Sequence, residues 1–384
     1  MWFAVRRPWW TTGKQAGRRL GAHPRRVTGH ARALCGKLPG VNIAVIGLGL
    51  IGGSFLRALA LAGHTVWGYD ADPATRATAR TGAAQAPPHA RWRVAGGLPD
   101  AVAKAELVVV AVPLPAVADV MDELVASGYS GLVTDVTSVK VPVREVVADR
   151  LHRSHSRLAG FVGGHPMAGR ETSGFTSADP GLFTGCAWVL CLEPDTALAD
   201  WLLLADLLTR LGCRVVPATA DEHDRAVAVI SHVPHLLASA LVAVAAGDPM
   251  ALTLAAGSFR DGTRVAGSPP ALTAAMCGGN AAAVEPALAA VSEALVEAAS
   301  ALRSPDPIAA LRTWLEPKAE VRQAWPPRPG TRLDLPANPG ALLRLGRAGG
   351  WVTAVAPDRR SVTAIRPRPL GTSSDEDFPF DLFD

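Results

Sequence analysis

Short apolar, β-branched runs alternate with stretches of helical periodicity through the first half of the chain, and after about residue 216 only the helical periodicity continues. The run Val41-Asn42-Ile43-Ala44-Val45-Ile46 stops at Gly47, the pattern of a buried strand. Apolar spacing then predicts a helix over 51–62, ended by Gly63, a second strand over 65–70, and a helix opened by Pro73, since proline is tolerated in a first turn. Residues 107–112, 132–136, 161–163 and 187–192 read as further strands. This alternation predicts an α/β fold with a doubly wound parallel sheet. Beyond it, residues 220–246, 250–257, 270–277 and 280–302 read as helices. In the last of these, Val284, Leu288, Val291, Leu295, Val296 and Ala299 recur with helical spacing. Ala-rich helices with so few charges need a partner surface, so this all-α region is expected at a homodimer interface. Past a Pro-rich linker at 326–330, the pattern predicts a strand (331–336), a helix (339–347) and two strands (351–356 and 362–366).

The expected organisation is a basic extension (1–40), an α/β domain (41–218), an all-α domain (219–317), a linker (318–330), a small α+β appendage (331–368) and an acidic tail (369–384). With 49% hydrophobic and 19% charged residues among 384, the chain can bury a sizeable core. The net charge of +4 misleads, because the first 40 residues hold nine Lys or Arg and no acid. The rest carries 29 basic against 34 acidic residues, so nucleic-acid binding by the body is not expected. The Arg-rich arm has the charge of a transit peptide but no apolar segment, and is read as a disordered extension, like the acidic tail. Five scattered cysteines without a CxxC pair read as reduced thiols of a cytoplasmic protein rather than a disulfide framework or a metal site. No uninterrupted apolar run of 18 residues predicts a membrane span.

Two stretches carry chemistry. Gly47-Leu48-Gly49-Leu50-Ile51-Gly52 matches GxGxxG, directly follows a predicted strand and opens a predicted helix. Gly47 allows the tight turn, Gly49 lets the backbone approach a pyrophosphate at the helix N-terminus, and Gly52 permits close helix–strand packing. Asp70, at the end of the second predicted strand, can accept hydrogen bonds from ribose hydroxyls and repel a 2′-phosphate, so the expected cofactor is NAD. The second stretch, Gly163-Gly164-His165-Pro166-Met167-Ala168-Gly169, reads as a glycine-rich loop, neither helix nor strand, that presents an imidazole to a small ligand.

Together with Asp135-Val136-Thr137-Ser138-Val139-Lys140, Asp221-Glu222-His223-Asp224, Ser231-His232-Val233-Pro234-His235 and the segment from Phe259 to Ala266, these motifs make residues 41–317 resemble the prephenate/arogenate dehydrogenase family of tyrosine biosynthesis. The resemblance implies a Rossmann-type domain, an NAD-dependent oxidative decarboxylation of a cyclohexadienol, and a dimer. It implies His165 as the base for the C4 hydroxyl, Ser138 as a second contact to that hydroxyl, and Arg264 as the grip on the ring carboxylate. His235 would line the substrate pocket, Arg260 would be a lesser member of the same anionic pocket, and Glu171 would gate its mouth. Ser138 also reads as a helix N-cap, and His223 as a helix-surface or packing residue. His232 and His235 lie three apart, but no third ligand follows, so no metal is expected. The segment Ser268-Pro269-Pro270-Ala271-Leu272-Thr273 lacks a tryptophan that some members carry, which leaves prephenate against arogenate open. A β-hydroxy-acid dehydrogenase would want a lysine from the helical region, and residues 220–304 contain none. An NAD-sensing protein without catalysis is disfavoured by Ser138, His165 and Arg264 occurring together. Residues 333–343 resemble the opening of an ACT regulatory domain, which implies tyrosine as an effector, although the second helix and last strand of such a domain are missing.

Overall fold

The structure, a computed structural model, describes residues 40–154, 160–170 and 172–368. The basic extension up to residue 39, Glu171 and the acidic tail from residue 369 lie outside the described residues.

Six strands form a wholly parallel sheet: β1 (Asn42–Ile46), β2 (Thr65–Tyr69), β3 (Arg93–Val94), β4 (Leu107–Val110), β5 (Leu132–Asp135) and β6 (Gly160–Val162). Their order is β3-β2-β1-β4-β5-β6, so chain direction across the sheet reverses between β1 and β4. The continuous apolar runs have a plain cause: alternate residues feed two cores. Ile43, Val45, Leu107 and Val109 enter one. Ala44, Ile46, Val108 and Val110 enter the other. Helices Leu50–Leu61 and Pro73–Gln85 follow β1 and β2, the second started by Asp72, whose carboxylate accepts from Ala74 and Thr75.

The remaining strands build a second, mixed sheet: β7 (Gly164–Pro166), β8 (Ala187–Cys191), β9 (Arg214–Ala218), β10 (Pro329–Pro336), β11 (Trp351–Val355) and β12 (Ser361–Pro367), in the order β10-β12-β11-β9-β8-β7. Three expectations change here. The strand at 187–192 belongs to this sheet and not to the parallel one. The expected loop around His165 is the edge strand β7, antiparallel to β8 with His165 opposite Val189; Pro166 is tolerated because an edge strand has one unpaired side. The C-terminal strands do not stand apart: β11 pairs with β9, which joins them to the sheet that carries His165.

From Ala220 the chain is helical: Ala220–Val227, a π-helical turn Ala228–His232 and Val233–Ala245 form one run. The π turn lies just before Pro234, and such turns mark functional sites. The run is long and apolar enough to cross a membrane by length and composition alone, yet its first turns hold Asp221, Glu222, His223, Asp224 and Arg225. Shorter helices lead to Ala281–Leu302 and Pro307–Ala324. The last replaces the first half of the expected linker at 318–330. It buries none of its residues.

Candidate active site

The glycine loop after β1 and the Ser138 loop after β5 lie at the carboxyl edge of the parallel sheet, where open α/β sheets bind ligands at the reversal of strand order. Gly47 turns there with φ 94°, and a Cβ on it would lie 2.4 Å from the Ala111 carbonyl oxygen. A Cβ on Gly52 would lie 1.9 Å from the Gly47 oxygen, whereas one on Gly49 would meet nothing within 4 Å. Gly49 is the N-cap of Leu50–Leu61, supplies no side-chain cap, and the first turn holds no acid. The glycine loop therefore packs tightly below and leaves open backbone N–H groups above, the arrangement an anionic pyrophosphate needs. Asp70 Oδ2 accepts from Leu48 N at 2.7 Å and its Oδ1 from Asp72 N at 2.9 Å, which fastens this loop to the end of β2. A carboxylate has about four acceptor sites, so capacity remains for a ribose.

The loop after β5 presents Ser138, partly exposed, between buried Thr137 and Val139. The N-cap reading of Ser138 is replaced: the helix starts at Val141, and Asp224 from the helical region takes its first donors. Lys140 N donates to Asp224 Oδ1 and Val141 N to Oδ2, both at 2.8 Å. Ser138 therefore does not cap this helix. The Lys140 ammonium is itself buried. It donates to Asp135 Oδ2, to Thr137 Oγ1 at 3.1 Å and to the Gly164 carbonyl at 2.6 Å. Asp135 Oδ1 accepts from Gly164 N at 3.2 Å. The charge pair thus grips both polar groups of Gly164, the residue before His165. A Cβ on Gly164 would lie 2.8 Å from the Asp135 carbonyl oxygen, so the peptide has one place to sit.

His165 Nδ1 lies 2.8 Å from His223 Nε2, and His223 Nδ1 lies 2.7 Å from Asp224 Oδ1. A carboxylate can only accept here, so His223 carries its proton on Nδ1 and offers Nε2 as an acceptor. His165 then carries its proton on Nδ1, and its Nε2 lone pair is the free one. Burial, followed by His223, Lys140 and His232, pushes the His165 imidazole well below its ordinary 6.5. Burial lowers His223 too, against the Asp224 hydrogen bond that raises it. Neutral His165 is thus a base of fixed tautomer at neutral pH. His223, expected at a helix surface or in simple packing, is buried and is the direct partner of His165.

Toward the helical region, buried His232 contacts Asn280 Nδ2 at 3.1 Å, and the same amide donates to the Asp224 carbonyl at 2.7 Å. Burial takes His232 down to about 4. His235 Nδ1 is buried with no hydrogen-bond partner among the described residues. Burial lowers the His235 pKa; the Val265 backbone opposes this and Arg264 adds to it. His235 and Arg264 are therefore neighbours. Arg264 is exposed where helix Gly257–Thr263 gives way to a 3₁₀ turn. Arg260 pairs with Asp261 on the surface at 3.2 Å.

The residues missed from sequence are His223, Asp224, Asp135, Lys140 and Asn280. A signal existed for the first two. Thr219 and Glu222 form a capping box, which starts the helix at Ala220. Buried Ala220, His223, Asp224 and Val227 then follow the i, i+3, i+4, i+7 rule for an inward face.

A family model for the nucleotide-binding domain of prephenate dehydrogenase matches residues 55–217, and one for the prephenate dehydrogenase dimerization domain matches 219–316. The chain is 34% identical over 240 residues to a prephenate dehydrogenase of Bacillus subtilis, covering 60% of this chain and 62% of that one, less than two thirds of the relative's length. A solved structure from Corynebacterium glutamicum, described as a candidate prephenate dehydrogenase, superposes with a TM-score of 0.66 at 34% identity, covering 76% of this chain and 91% of that one. The Synechocystis arogenate dehydrogenase superposes with a TM-score of 0.63 at 28% identity, covering 74% of this chain and 100% of that one.

Proposed function

The chain belongs to the prephenate dehydrogenase family, and from that premise we propose that it catalyses the NAD-dependent oxidative decarboxylation of prephenate to 4-hydroxyphenylpyruvate. The observation that carries the proposal is the hydrogen-bonded series His165–His223–Asp224, which leaves one imidazole nitrogen free and basic at the edge of a nucleotide-binding fold.

The open approach over Gly49 and the uncapped N-terminus of Leu50–Leu61 fit a dinucleotide, and Gly47, Leu48, Gly49, Leu50, Ile51, Gly52 and Asp70 would hold it. Bound there, NAD supplies the acceptor for the hydride that leaves C4 of the substrate. His165 Nε2 takes the proton of the C4 hydroxyl, a contribution typically worth about 10²–10⁴-fold. The Nδ1 hydrogen bond to His223, held in turn by Asp224, orients the ring and stabilises the imidazolium that forms. Ser138 donates to the same substrate oxygen. As the carbonyl develops at C4, the C1–carboxylate bond breaks, carbon dioxide leaves, and the electron pair completes the aromatic ring. Arg264 holds the ring carboxylate with a planar guanidinium suited to bidentate pairing. His235 lines the same pocket, and Arg260 is a lesser member of it.

The reading includes a homodimer through residues 219–316, a soluble cytoplasmic enzyme, and tyrosine as an effector of the C-terminal strands. Addition of tyrosine to the working enzyme checks the last point, and unchanged turnover at saturating tyrosine counts against it. The main test is direct. Purified chain is given NAD with prephenate or with arogenate, and absorbance at the NADH band is followed. Turnover with prephenate is expected. Turnover with arogenate alone reassigns the substrate to the amino acid, and turnover with neither contradicts the proposal.

A further inference from the structure

We propose that residues 329–368 are a working part of the catalytic site, with Arg347 as a positioning residue for the His223–Asp224 pair. This rests on the dehydrogenase reading above but concerns a segment that lies beyond both matched domains, which end at residue 316.

Three contacts from this segment converge on the eight residues that lead into His223. Val352 of β11 pairs with Val215 of β9, so β9 is an interior strand and not an edge. Gly346, near the end of helix Pro339–Arg347, lies against Pro217: a Cβ on it would sit 1.8 Å from the Pro217 carbonyl oxygen. Arg347 Nε donates to Glu222 Oε1 at 2.6 Å. Leu342, Leu345, Val352 and Val362 share one core with Trp188 of β8, so the attachment is built in.

Glu222 is the pivot. Its Oε2 accepts from Thr219 N at 2.9 Å and closes the capping box of helix Ala220–Val227, while Oε1 takes Arg347. The next residue is His223. His223 lies in the first turn of this helical run, so the N-terminal cap sets the place of His223 Nε2, which lies 2.8 Å from His165 Nδ1. A hydrogen bond of that length weakens over a few tenths of an ångström, so tilt at the cap is felt at the base. The charged and titratable groups around His223 are His165, Asp224, Asp135, Lys140 and His232. Arg347 lies outside this set and acts through Glu222.

The experiment uses the full chain. Wild-type turnover is recorded first; its absence would overturn the dehydrogenase reading and not this one. Arg347→Ala is then expected to lower kcat roughly five-fold, the scale of one exposed ion pair, with KM for substrate unchanged. The acid limb of its pH–kcat profile moves to lower pH, because a looser His165–His223 hydrogen bond stabilises the imidazolium less. Arg347→Lys restores most of both. The ¹⁵N spectrum of labelled histidines, read without substrate, shows the His165 and His223 signals displaced in the alanine variant only. Arg347 is mostly exposed, so the fold is expected to survive. Should the alanine variant not accumulate, Arg347→Gln carries the same expectations. A variant with wild-type kcat, acid limb and histidine signals would overturn the proposal.

Discussion

His165 is made a base by the atoms around its ring more than by its place in the sequence. A lone imidazole near its ordinary 6.5 would be partly protonated at neutral pH and free to take either tautomer. Burial removes the charge, and the His223–Asp224 pair removes the choice of tautomer. Because the neutral form is the active one and its pKa is lowered, the acid limb of kcat/KM is expected below 6.5, with activity level through neutrality. A pH–rate profile whose acid limb lies above 7 would contradict this. The buried Lys140–Asp135 pair belongs to the same scale, since it fixes the Gly164 peptide. Lys140→Met leaves a buried carboxylate unpaired and is expected to destabilise the fold by about 3–5 kcal/mol, measured by urea unfolding. Adding Asp135→Asn should recover much of that loss. Equal stability of the single variant and wild type would show that the pair does not hold the loop.

At the scale of elements, the glycine loop separates packing from ligand contact. Gly52→Ala would drive a Cβ into the Gly47 carbonyl, while Gly49→Ala has open space. The expectation is that Gly52→Ala loses folded protein. Gly49→Ala keeps its melting temperature without cofactor but binds NAD at least ten-fold more weakly, an effect of about 1.4 kcal/mol. Calorimetric titration showing wild-type NAD affinity for Gly49→Ala would move the pyrophosphate elsewhere. The sequence made β1, β4 and β5 legible because strands buried on both faces are continuous apolar runs. It hid β7, whose Gly-His-Pro has no strand propensity and is a strand through its ladder to β8. Two-residue β3 is too short for any period to show. The pairing of β11 with β9 joins residues 352 and 215, and nothing local announces it. The site followed the same rule. As candidates, the glycine loop stood out by residue type and spacing, and His165 took its role from the family resemblance. The His165–His223 contact spans 58 residues and depends on how two sheets and a helix meet.

Across the whole molecule, the parallel sheet, the second sheet and the helical region each supply part of the proposed site. The glycine loop and Ser138 come from the first, His165 from the second, and His223, His235 and Arg264 from the third. The helical region also presents exposed apolar side chains, among them Val244, Leu254, Val296 and Ile308. Such a face is large for a soluble monomer, and the matched dimerization domain covers most of it. Sedimentation at micromolar concentration is expected to give a dimer, and a monomer there would count against that assignment. If His165 accepts the substrate hydroxyl proton, His165→Asn should separate chemistry from binding when NADH formation from prephenate is compared with wild type alongside substrate binding by titration. Turnover is expected to fall about 10²–10⁴-fold with binding retained. Turnover equal to wild type would show that another group is the base.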